Sequence, residues 1–409
     1  MLRCNKFNEQ TLLMKTVAIV TWPYFGHIYP TFSLGANLLA QGFRVVWLCE
    51  IPTIQWMLPE GGEFILVTCN AAFDEALKED QPYGMQSLKD LYSYQLIPKN
   101  EILYSQLKLI NQTHKFDFIV TDQQAFSGAL FAHQYGIPYA TSVTAPAAID
   151  PSPEFPEVHE YEKQQVINFQ RSKGCMESEA LVWCSPITLV YTTELFLQSN
   201  QFPADYYFIG PSTSKRKEWT IDISAIEAQV GKQPIVLVSM GSVLPRESGF
   251  VDKVIAAFEF QPVTVVLVTA PEIRESWPDN FLVYGFIPQL QVLKLVDAVI
   301  CHAGHNTVCE ALNEGLPLVT IPVAYDQSYV ATKVKNAGAG IRLKYRRLKS
   351  DDMRSALNSI LTEPSFRDSA KKIQKSFQQA GGESQAVALI TSFIKRDQVN
   401  LAVEEKYFG

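Results

Sequence analysis

Residues 301–327 read CHAGHNTVCEALNEGLPLVTIPVAYDQ, and this stretch decides the fold. The buried apolar run DAVIC leads into a turn at Gly304, and a helical pattern extends over 307–313. Gly315 ends that pattern, and the run LPLVTIP predicts a second strand. A strand, a turn, a helix and a strand in this order form the repeating unit of a parallel α/β sheet.

Units of the same kind occur throughout the chain. The first half contains the strand runs KTVAIVT, RVVWLCE and FDFIVTD with helical patterns between them, and PIVLVSMGS at 234–242 restarts the series. Between the halves, residues 211–232 lose the apolar periodicity and gain charge, as is typical of an interdomain linker. The fold class is therefore α/β, with two parallel-sheet domains. Ligands of such sheets bind outside the carboxyl ends of the strands.

The composition excludes several classes of protein. The chain has 409 residues, of which 47% are hydrophobic and 19% charged, so it folds around a sizeable core and is neither disordered nor fibrous. A net charge of -7 argues against general binding of nucleic acid. No apolar run approaches about 18 residues, which predicts no integral membrane segment. Seven cysteines without a CxxC motif, and no secretory leader, favour a reducing, cytoplasmic location without disulfides or a zinc site.

The turn and helix after DAVIC predict an anion site. His302 follows the strand and can donate a hydrogen bond, and Gly304 lets a ligand approach the backbone. Asn306 and Thr307 suit the N-cap and first turn of the helix. Its N-terminus presents free N–H groups and about half a positive charge, which can hold an anion without a metal.

Carboxylates and an amide nearby suit a polyol. Glu310 lies about one turn into the helix and could accept hydrogen bonds from two neighbouring hydroxyls. Asp326 and Gln327 follow the next strand at the same rim. Each of these residues alone is an ordinary surface or capping residue; the combination predicts a ligand with both phosphate and sugar.

A second pair lies in the first half of the chain. His27 occurs in the loop WPYFGHIYP after the first strand, and Asp122 ends the strand FDFIVTD. If the two meet, Asp122 accepts a hydrogen bond from one ring nitrogen while the other faces the cleft. A histidine held in this way is a suitable general base for a hydroxyl.

The motif HAGHNTVCEAL followed by IPVAYDQ resembles the donor-binding signature of family 1 glycosyltransferases, the UDP-glycosyltransferase superfamily. MGS at 240–242, FIPQ at 286–289 and the run from 346 to 390 add to the resemblance, which covers nearly the whole chain and is similar to bacterial macrolide-type and carotenoid glucosyltransferases. It implies the GT-B fold, two Rossmann-like domains facing each other across a cleft. The expected segments are a loose N-terminal extension (1–14), an acceptor-binding domain (15–210), a linker (211–233), a nucleotide-sugar-binding domain (234–385) and a C-terminal helix packing back on the first domain (386–409).

The resemblance also implies a role for individual residues. His27 and Asp122 would be the catalytic pair. Phe286 stands where many relatives have Trp and would stack on the base. The donor nucleotide and its phosphates would be held by Gly26, Ser242, Phe286, Gln289, His302, Gly304, Asn306, Thr307 and Glu310, the donor sugar by Asp326, Gln327 and Thr144, and the acceptor by a pocket that includes Phe25, Met85, Tyr92 and Phe155.

The activity implied is an inverting transfer of a hexose, with glucose favoured by Gln327, from a UDP-sugar to a hydroxyl of a lipophilic small molecule. No cofactor or metal is expected, because the helix N-terminus meets the charge of the diphosphate. The partners are then only the two substrates, and the chain is expected to be a monomer or a weak dimer. Two alternatives stay open. A UDP-sugar epimerase would need further acid–base residues near the anomeric carbon, and a non-catalytic auxiliary protein would have degraded donor motifs.

Overall fold

The computed structural model describes residues 14–68, 85–150, 156–213, 217–218, 220–241 and 248–408, with the backbone alone for Ser87, Ser248 and 396–408. The predicted extension, apart from Met14, lies outside these residues. Within them the chain forms two parallel β-sheets covered by helices. None of the described helices is long and apolar enough to cross a membrane.

The first sheet has seven strands, in the spatial order β3-β2-β1-β4-β5-β6-β7. Its strands are β1 (Thr16–Val20), β2 (Arg44–Cys49), β3 (Glu63–Leu66), β4 (Phe118–Asp122), β5 (Tyr139–Val143), β6 (Thr188–Val190) and β7 (Tyr206–Phe208). The helices of this half are α1 (Phe25–Ala40), α2 (Met85–Leu91), α3 (Ile97–His114), α4 (Phe126–Gln134), α5 (Pro156–Ser172) and α6 (Glu194–Leu197), with a π turn at Tyr92–Leu96 and 3-10 turns at Pro52–Met57, Pro146–Ala148 and Leu181–Trp183.

The second sheet has six strands, in the order β10-β9-β8-β11-β12-β13. Its strands are β8 (Ile235–Ser239), β9 (Thr264–Val268), β10 (Phe281–Tyr284), β11 (Ala298–Cys301), β12 (Leu318–Thr320) and β13 (Gly340–Arg342). The helices are α7 (Ser224–Glu227), α8 (Ser248–Phe258), α9 (Gln289–Val292), α10 (His305–Asn313), α11 (Gln327–Asn336), α12 (Ser350–Thr362), α13 (Pro364–Gln379) and α14 (Gly382–Phe408), with 3-10 turns at Pro271–Ile273 and Tyr345–Arg347.

The central strands explain the layered architecture. Every residue of β1, β4 and β8 is buried, and the strands consist largely of Val, Ile and Leu. Strands that are apolar on both faces need helices on both faces, which is the arrangement of a doubly wound sheet. On one side of the first sheet, Gly35 of α1 lies directly on Trp47, where a Cβ atom would come within 2.1 Å of the indole ring.

The chain order reverses beside β1 in the first sheet and beside β8 in the second. At such a switch point the loops on either side of the strands separate and leave a crevice at their carboxyl ends. The loops after β1, β4 and β5 therefore supply the first half of the site. Those after β8, β11 and β12 supply the second.

Two segments pack outside the domain in which the chain order would place them. Phe196 and Leu197 of α6 are buried in the core of the second domain, although α6 lies between two strands of the first sheet. Conversely, Val387 and Ile390 of α14 are buried in a core cluster of the first domain, and the Phe393 ring meets Phe118 edge-on at 6.5 Å. Each domain thus contributes side chains to the core of the other.

Candidate functional site

Three polar side chains meet at the carboxyl end of the first sheet. His27 lies in the first turn of α1, Asp122 ends β4, and Thr144 directly follows β5. Nδ1 of His27 lies 2.9 Å from Oδ2 of Asp122 and 2.9 Å from Oγ1 of Thr144. The Thr144 hydroxyl donates to the same carboxylate oxygen over 3.2 Å. This triangle is satisfied when Nδ1 carries the proton, which leaves Nε2 as the basic nitrogen.

The charges around His27 favour its protonated form. Burial lowers the pKa of His27, but the charge of Asp122, the hydrogen bond to it and the charge of Asp326 together raise this pKa above its usual value. The Asp122 side chain is only 1% exposed and that of His27 13%, so water screens the pair weakly. Asp326 belongs to the second domain, and the first turn of α1 meets that domain directly where Nδ2 of Asn306 donates to the carbonyl of Gly26.

A further buried residue, Asn100 of α3, holds the loop that carries Asp122. The backbone N–H of Gln124 donates to Oδ1 of Asp122 at 2.8 Å, and Nδ2 of Asn100 donates to the Gln124 carbonyl at 2.8 Å. Oδ1 of Asn100 accepts from the N–H of Ser127, also at 2.8 Å. Sequence reasoning missed Asn100, because nothing in IPKNEIL distinguishes it from any other polar residue early in a helix.

On the other side of the cleft, His302 lies between two glycines. A Cβ atom on Gly241 would come within 2.6 Å of the imidazole ring, and one on Gly304 within 2.5 Å. Ala303, which separates His302 from Gly304 in the chain, adopts a left-handed backbone conformation with φ 66°, which is unfavourable for a residue with a side chain. Burial lowers the pKa of His302 to about 4. At neutral pH the ring is therefore uncharged and can act as a single N–H donor.

The helix after His302 begins earlier than the sequence predicts. Helix α10 starts at His305 with Gly304 as its N-cap, and no side chain caps it. The prediction that Asn306 is the cap is wrong, because Asn306 already lies in the first turn and its Nδ2 donates across the cleft to the carbonyl of Gly26 over 2.8 Å. Thr307 lies beside it in the same turn.

Two of the residues predicted to bind the nucleotide, Gln289 and Glu310, are in contact. Nε2 of Gln289, the first residue of α9, donates to Oε2 of Glu310 over 2.6 Å. Glu310 is 4% exposed, whereas Phe286 in the loop before α9 is 42% exposed. A buried carboxylate bonded to an amide, with an exposed aromatic ring three residues before that amide in the chain, is compatible with binding of a nucleoside.

Two of the three residues predicted to bind the sugar, Asp326 and Gln327, lie where the loop after β12 leads into α11. Oε1 of Gln327 accepts hydrogen bonds from the N–H groups of Val323 and Ala324, both at 2.9 Å. These two bonds fix the orientation of the side-chain amide, in which Nε2 lies on the other side of the amide carbon from these N–H groups. Tyr325 adopts a left-handed conformation with φ 54°. Asp326 follows it directly and is half-buried, and burial raises the pKa of its carboxyl group. Backbone strain next to Asp326 is typical of a functional loop.

The residues predicted for the acceptor pocket are more scattered. Phe25 is half-buried against Tyr29, with ring centroids 5.2 Å apart, and Met85 is half-buried at the start of α2. Tyr92 is 4% exposed and packs edge-on against Tyr161 at 5.8 Å, within the first domain's core. Ser242 and Phe155 lie outside the described residues. Among the described residues, no group of three or more His, Cys, Asp or Glu side chains is arranged to hold a metal ion.

Comparison with known proteins agrees with this geometry. Residues 176–379 match the family described as UDP-glucoronosyl and UDP-glucosyl transferase. The chain is 26% identical over 400 residues to NDP-glycosyltransferase YjiC of Bacillus subtilis (strain 168), covering 94% of this chain and 98% of YjiC. It is 22% identical over 424 residues to zeaxanthin glucosyltransferase of Pantoea ananas, covering 92% and 95% of the two chains.

Solved structures share the fold. The glycosyltransferase of kitacinnamycin has a TM-score of 0.73 at 22% identity, covering 93% of this chain and 99% of that one. Glycosyltransferase VinC, whose crystal structure contains dTDP, has a TM-score of 0.72 at 19% identity and covers 93% and 100%. The two facing α/β domains are therefore the GT-B fold. The chain belongs to the family 1 glycosyltransferases.

The role of Asn100 can be tested by its removal. Asn100→Ala leaves the Gln124 carbonyl and the Ser127 N–H without their buried partner, so we expect a loss of about 2–4 kcal/mol in the free energy of unfolding. The matched control is Asn168→Ala, whose exposed side chain accepts a hydrogen bond from Gln164 on the surface of α5 and should change stability by less than about 0.5 kcal/mol. Denaturant titration measures both. Equal stability of the two variants would contradict this role.

Proposed function

We propose that this glycosyltransferase transfers glucose from UDP-glucose to a hydroxyl of a lipophilic small molecule and inverts the anomeric centre. The observation that carries the proposal is the triangle of His27, Asp122 and Thr144, which faces Asp326 of the second domain. A base on one side of the cleft and sugar-binding polar groups on the other are what a hydroxyl nucleophile and a glycosyl donor need.

In the proposed reaction, Nε2 of His27 removes the proton of the acceptor hydroxyl while the oxygen attacks the anomeric carbon. The new C–O bond forms on the face opposite the bond to the diphosphate, which breaks as UDP leaves. An α-linked donor then gives a β-glycoside. The proton ends on His27, where the buried Asp122 stabilises the imidazolium. One displacement needs no covalent sugar–enzyme intermediate, unlike a retaining hydrolase.

The leaving diphosphate would be held at the start of α10. Its free N–H groups carry the favourable end of the helix dipole, and neutral His302 adds one hydrogen bond. Since His302 supplies no net charge, the backbone N–H groups have to stabilise most of the developing negative charge. We propose on this ground that the reaction needs no metal ion.

The choice of glucose and of a lipophilic acceptor has separate support. Gln327 begins α11, and because its Oε1 already accepts from the preceding loop, its Nε2 is the group that a sugar hydroxyl could meet. The zeaxanthin glucosyltransferase of Pantoea ananas is named for glucose transfer to a carotenoid, which is an apolar acceptor. An intact base triangle also disfavours a non-catalytic auxiliary protein, since such a protein has no need of it.

The test of the whole proposal is release of UDP. We expect the protein to release UDP from UDP-glucose only when an acceptor alcohol is present, and mass spectrometry of an acceptor library should show glycosides heavier by one hexose. Addition of EDTA should leave the rate unchanged. An inactive library, or activity lost in EDTA and restored by Mg²⁺ or Mn²⁺, would contradict the proposal or its metal-free part, respectively.

The base can be identified from the pH dependence. A general base acts when unprotonated, so kcat/KM should rise with pH through the pKa of His27, at a midpoint above the usual 6.5 because this pKa is raised. Asp122→Asn removes the charge that favours the imidazolium, so the midpoint should move to lower pH and kcat should fall. His27→Ala should abolish transfer and leave UDP affinity intact.

The control for the pH experiment is His133→Ala, since His133 lies on the surface with a side chain 41% exposed. Its pH profile should match that of the wild type. A midpoint that stays in place in Asp122→Asn would show that another group acts as the base.

Donor choice tests the role of Glu310. A carboxylate that bridges both ribose hydroxyls loses one partner with a 2′-deoxyribose, and a hydrogen bond to a charged group contributes about 1.5–3 kcal/mol, or roughly ten- to a hundred-fold. We therefore expect kcat/KM for UDP-glucose to exceed that for dTDP-glucose by about this factor. Glu310→Ala should narrow the difference mainly by weakening UDP-glucose.

Glu314→Ala, at the C-cap of the same helix, is the matched control and should keep the wild-type preference. Asp326→Ala and Gln327→Ala should instead change the ratio of UDP-glucose to UDP-galactose and keep the nucleotide preference. Equal efficiency of UDP- and dTDP-glucose in the wild type would show that Glu310 does not have this role.

A further inference from the structure

Asp150, Tyr329 and Lys333 meet between the two domains. Asp150 lies in the first domain, just after the 3-10 turn Pro146–Ala148, whereas Tyr329 and Lys333 lie one helical turn apart on α11 of the second. The Tyr329 hydroxyl donates to Oδ2 of Asp150 over 2.5 Å, and Nζ of Lys333 lies 2.7 Å from the same oxygen.

These contacts are largely withdrawn from water. The side chains of Lys333 and Asp150 are 17% and 15% exposed, so their attraction is screened less than that of a surface ion pair. The Lys333 ammonium also lies 5.0 Å from the centroid of the Tyr329 ring. Oδ2 of Asp150 thus contacts both the Tyr329 hydroxyl and the Lys333 ammonium, which also contact each other. Loss of the Asp150 charge would remove the counter-charge of Lys333 in this contact.

Lys333 also anchors α11 to the chain that crosses between the domains. Its Nζ donates to the carbonyl of Leu197 over 2.5 Å, and Nε2 of Gln198 donates to the Lys333 carbonyl over 2.9 Å. Leu197 and Gln198 end the short helix α6, which is buried in the second domain. Among these contacts, those with Asp150 join α11 to the sheet-bearing part of the first domain, which is the acceptor side of the cleft in the proposed function.

The positions of the three residues connect both halves of the site. On the first domain, Asp150 lies six residues after Thr144 in the segment that follows β5, and Thr144 contacts His27 and Asp122. On the second domain, α11 begins with Gln327 directly after Asp326. We propose that Asp150, Tyr329 and Lys333 form an interdomain clasp that sets the distance between the base and the sugar-binding end of α11, so that Asp150 is a positioning residue for the transfer.

This inference rests on the proposed function, because a positioning effect needs a reaction to be positioned. The hydrogen bonds and the ion pair of the clasp join α11 to Asp150 and to α6, and none of them involves a described residue of α9 or α10. Loosening it should therefore lower kcat and leave the affinity for UDP unchanged. A residue that only stabilised the fold would not separate the two quantities in this way.

The experiment is a double-mutant cycle on Asp150→Asn and Lys333→Met. Asp150→Asn keeps an oxygen for the Tyr329 hydroxyl and removes the charge, so the protein should fold. We expect each single variant to lower kcat about ten-fold, with the Kd for UDP from calorimetry unchanged, and the double variant to lose little more than either single one. Lys335→Met, an exposed lysine on the same helix, is the control and should keep wild-type kcat.

Additive losses in the double variant, unchanged kcat, or a parallel loss of UDP affinity would each overturn the clasp. If the wild type shows no transfer with any acceptor, the proposed function fails and the clasp is judged by hydrogen exchange. Faster exchange in both 146–150 and α11 of Asp150→Asn then supports the clasp as a link between the domains, and unchanged exchange overturns it.

Discussion

The carboxylate of Asp122 is almost completely buried, and a buried charge is tolerated only where its surroundings compensate it. Three donors from three places in the chain do so: the imidazole of His27, the hydroxyl of Thr144 and the backbone N–H of Gln124. His27 lies at the start of α1, Thr144 follows the neighbouring strand β5, and Gln124 lies in the turn after β4 itself. The strand order β1-β4-β5 thus brings together the groups that stabilise the buried charge of Asp122. The hydrogen bond to this charge in turn orients the ring of His27.

The histidines of the cleft show how burial alone does not decide charge. His27 and His302 are both largely removed from water, yet the pKa of His27 is raised while that of His302 falls to about 4. The difference lies in the partners, because His27 has the two carboxylates Asp122 and Asp326 in reach, whereas His302 lies between glycines. His305, buried at the start of α10, follows His302, with a pKa lowered to about 4. One imidazole is prepared to accept a proton, and the other two are prepared to stay neutral.

The sequence predicted those parts of the molecule that depend on local pattern. Apolar β-branched runs placed β1, β4 and β8, and polar residues directly after the strands placed His27 and Asp122 at one edge of the sheet, because parallel strands end on the same side. The sequence does not predict which side chains meet when they come from distant parts of the chain, because tertiary packing decides those contacts. The contacts of Thr144 with His27 and Asp122, and that of Asn306 with Gly26 in the other domain, join residues far apart in the chain and leave no local pattern. Asn100 and Asp150 gave no signal, since an asparagine in a helix and an aspartate in a loop are common everywhere.

Helix α6 packs in the core of the second domain and α14 in that of the first, and this has a consequence for recombination between members of the family. A chimera joined at the linker would combine the first 210 residues of one parent with the second domain of another. Phe196 and Leu197 would then enter a foreign core, and Val387 and Ile390 would return to a foreign first domain. Parents of such hybrids therefore have to agree at these buried positions, or the crossover has to carry α6 together with the second domain and α14 together with the first. The part of the structure that has to be kept together in a hybrid is therefore a set of packed helices and strands, and it does not correspond to one contiguous half of the chain.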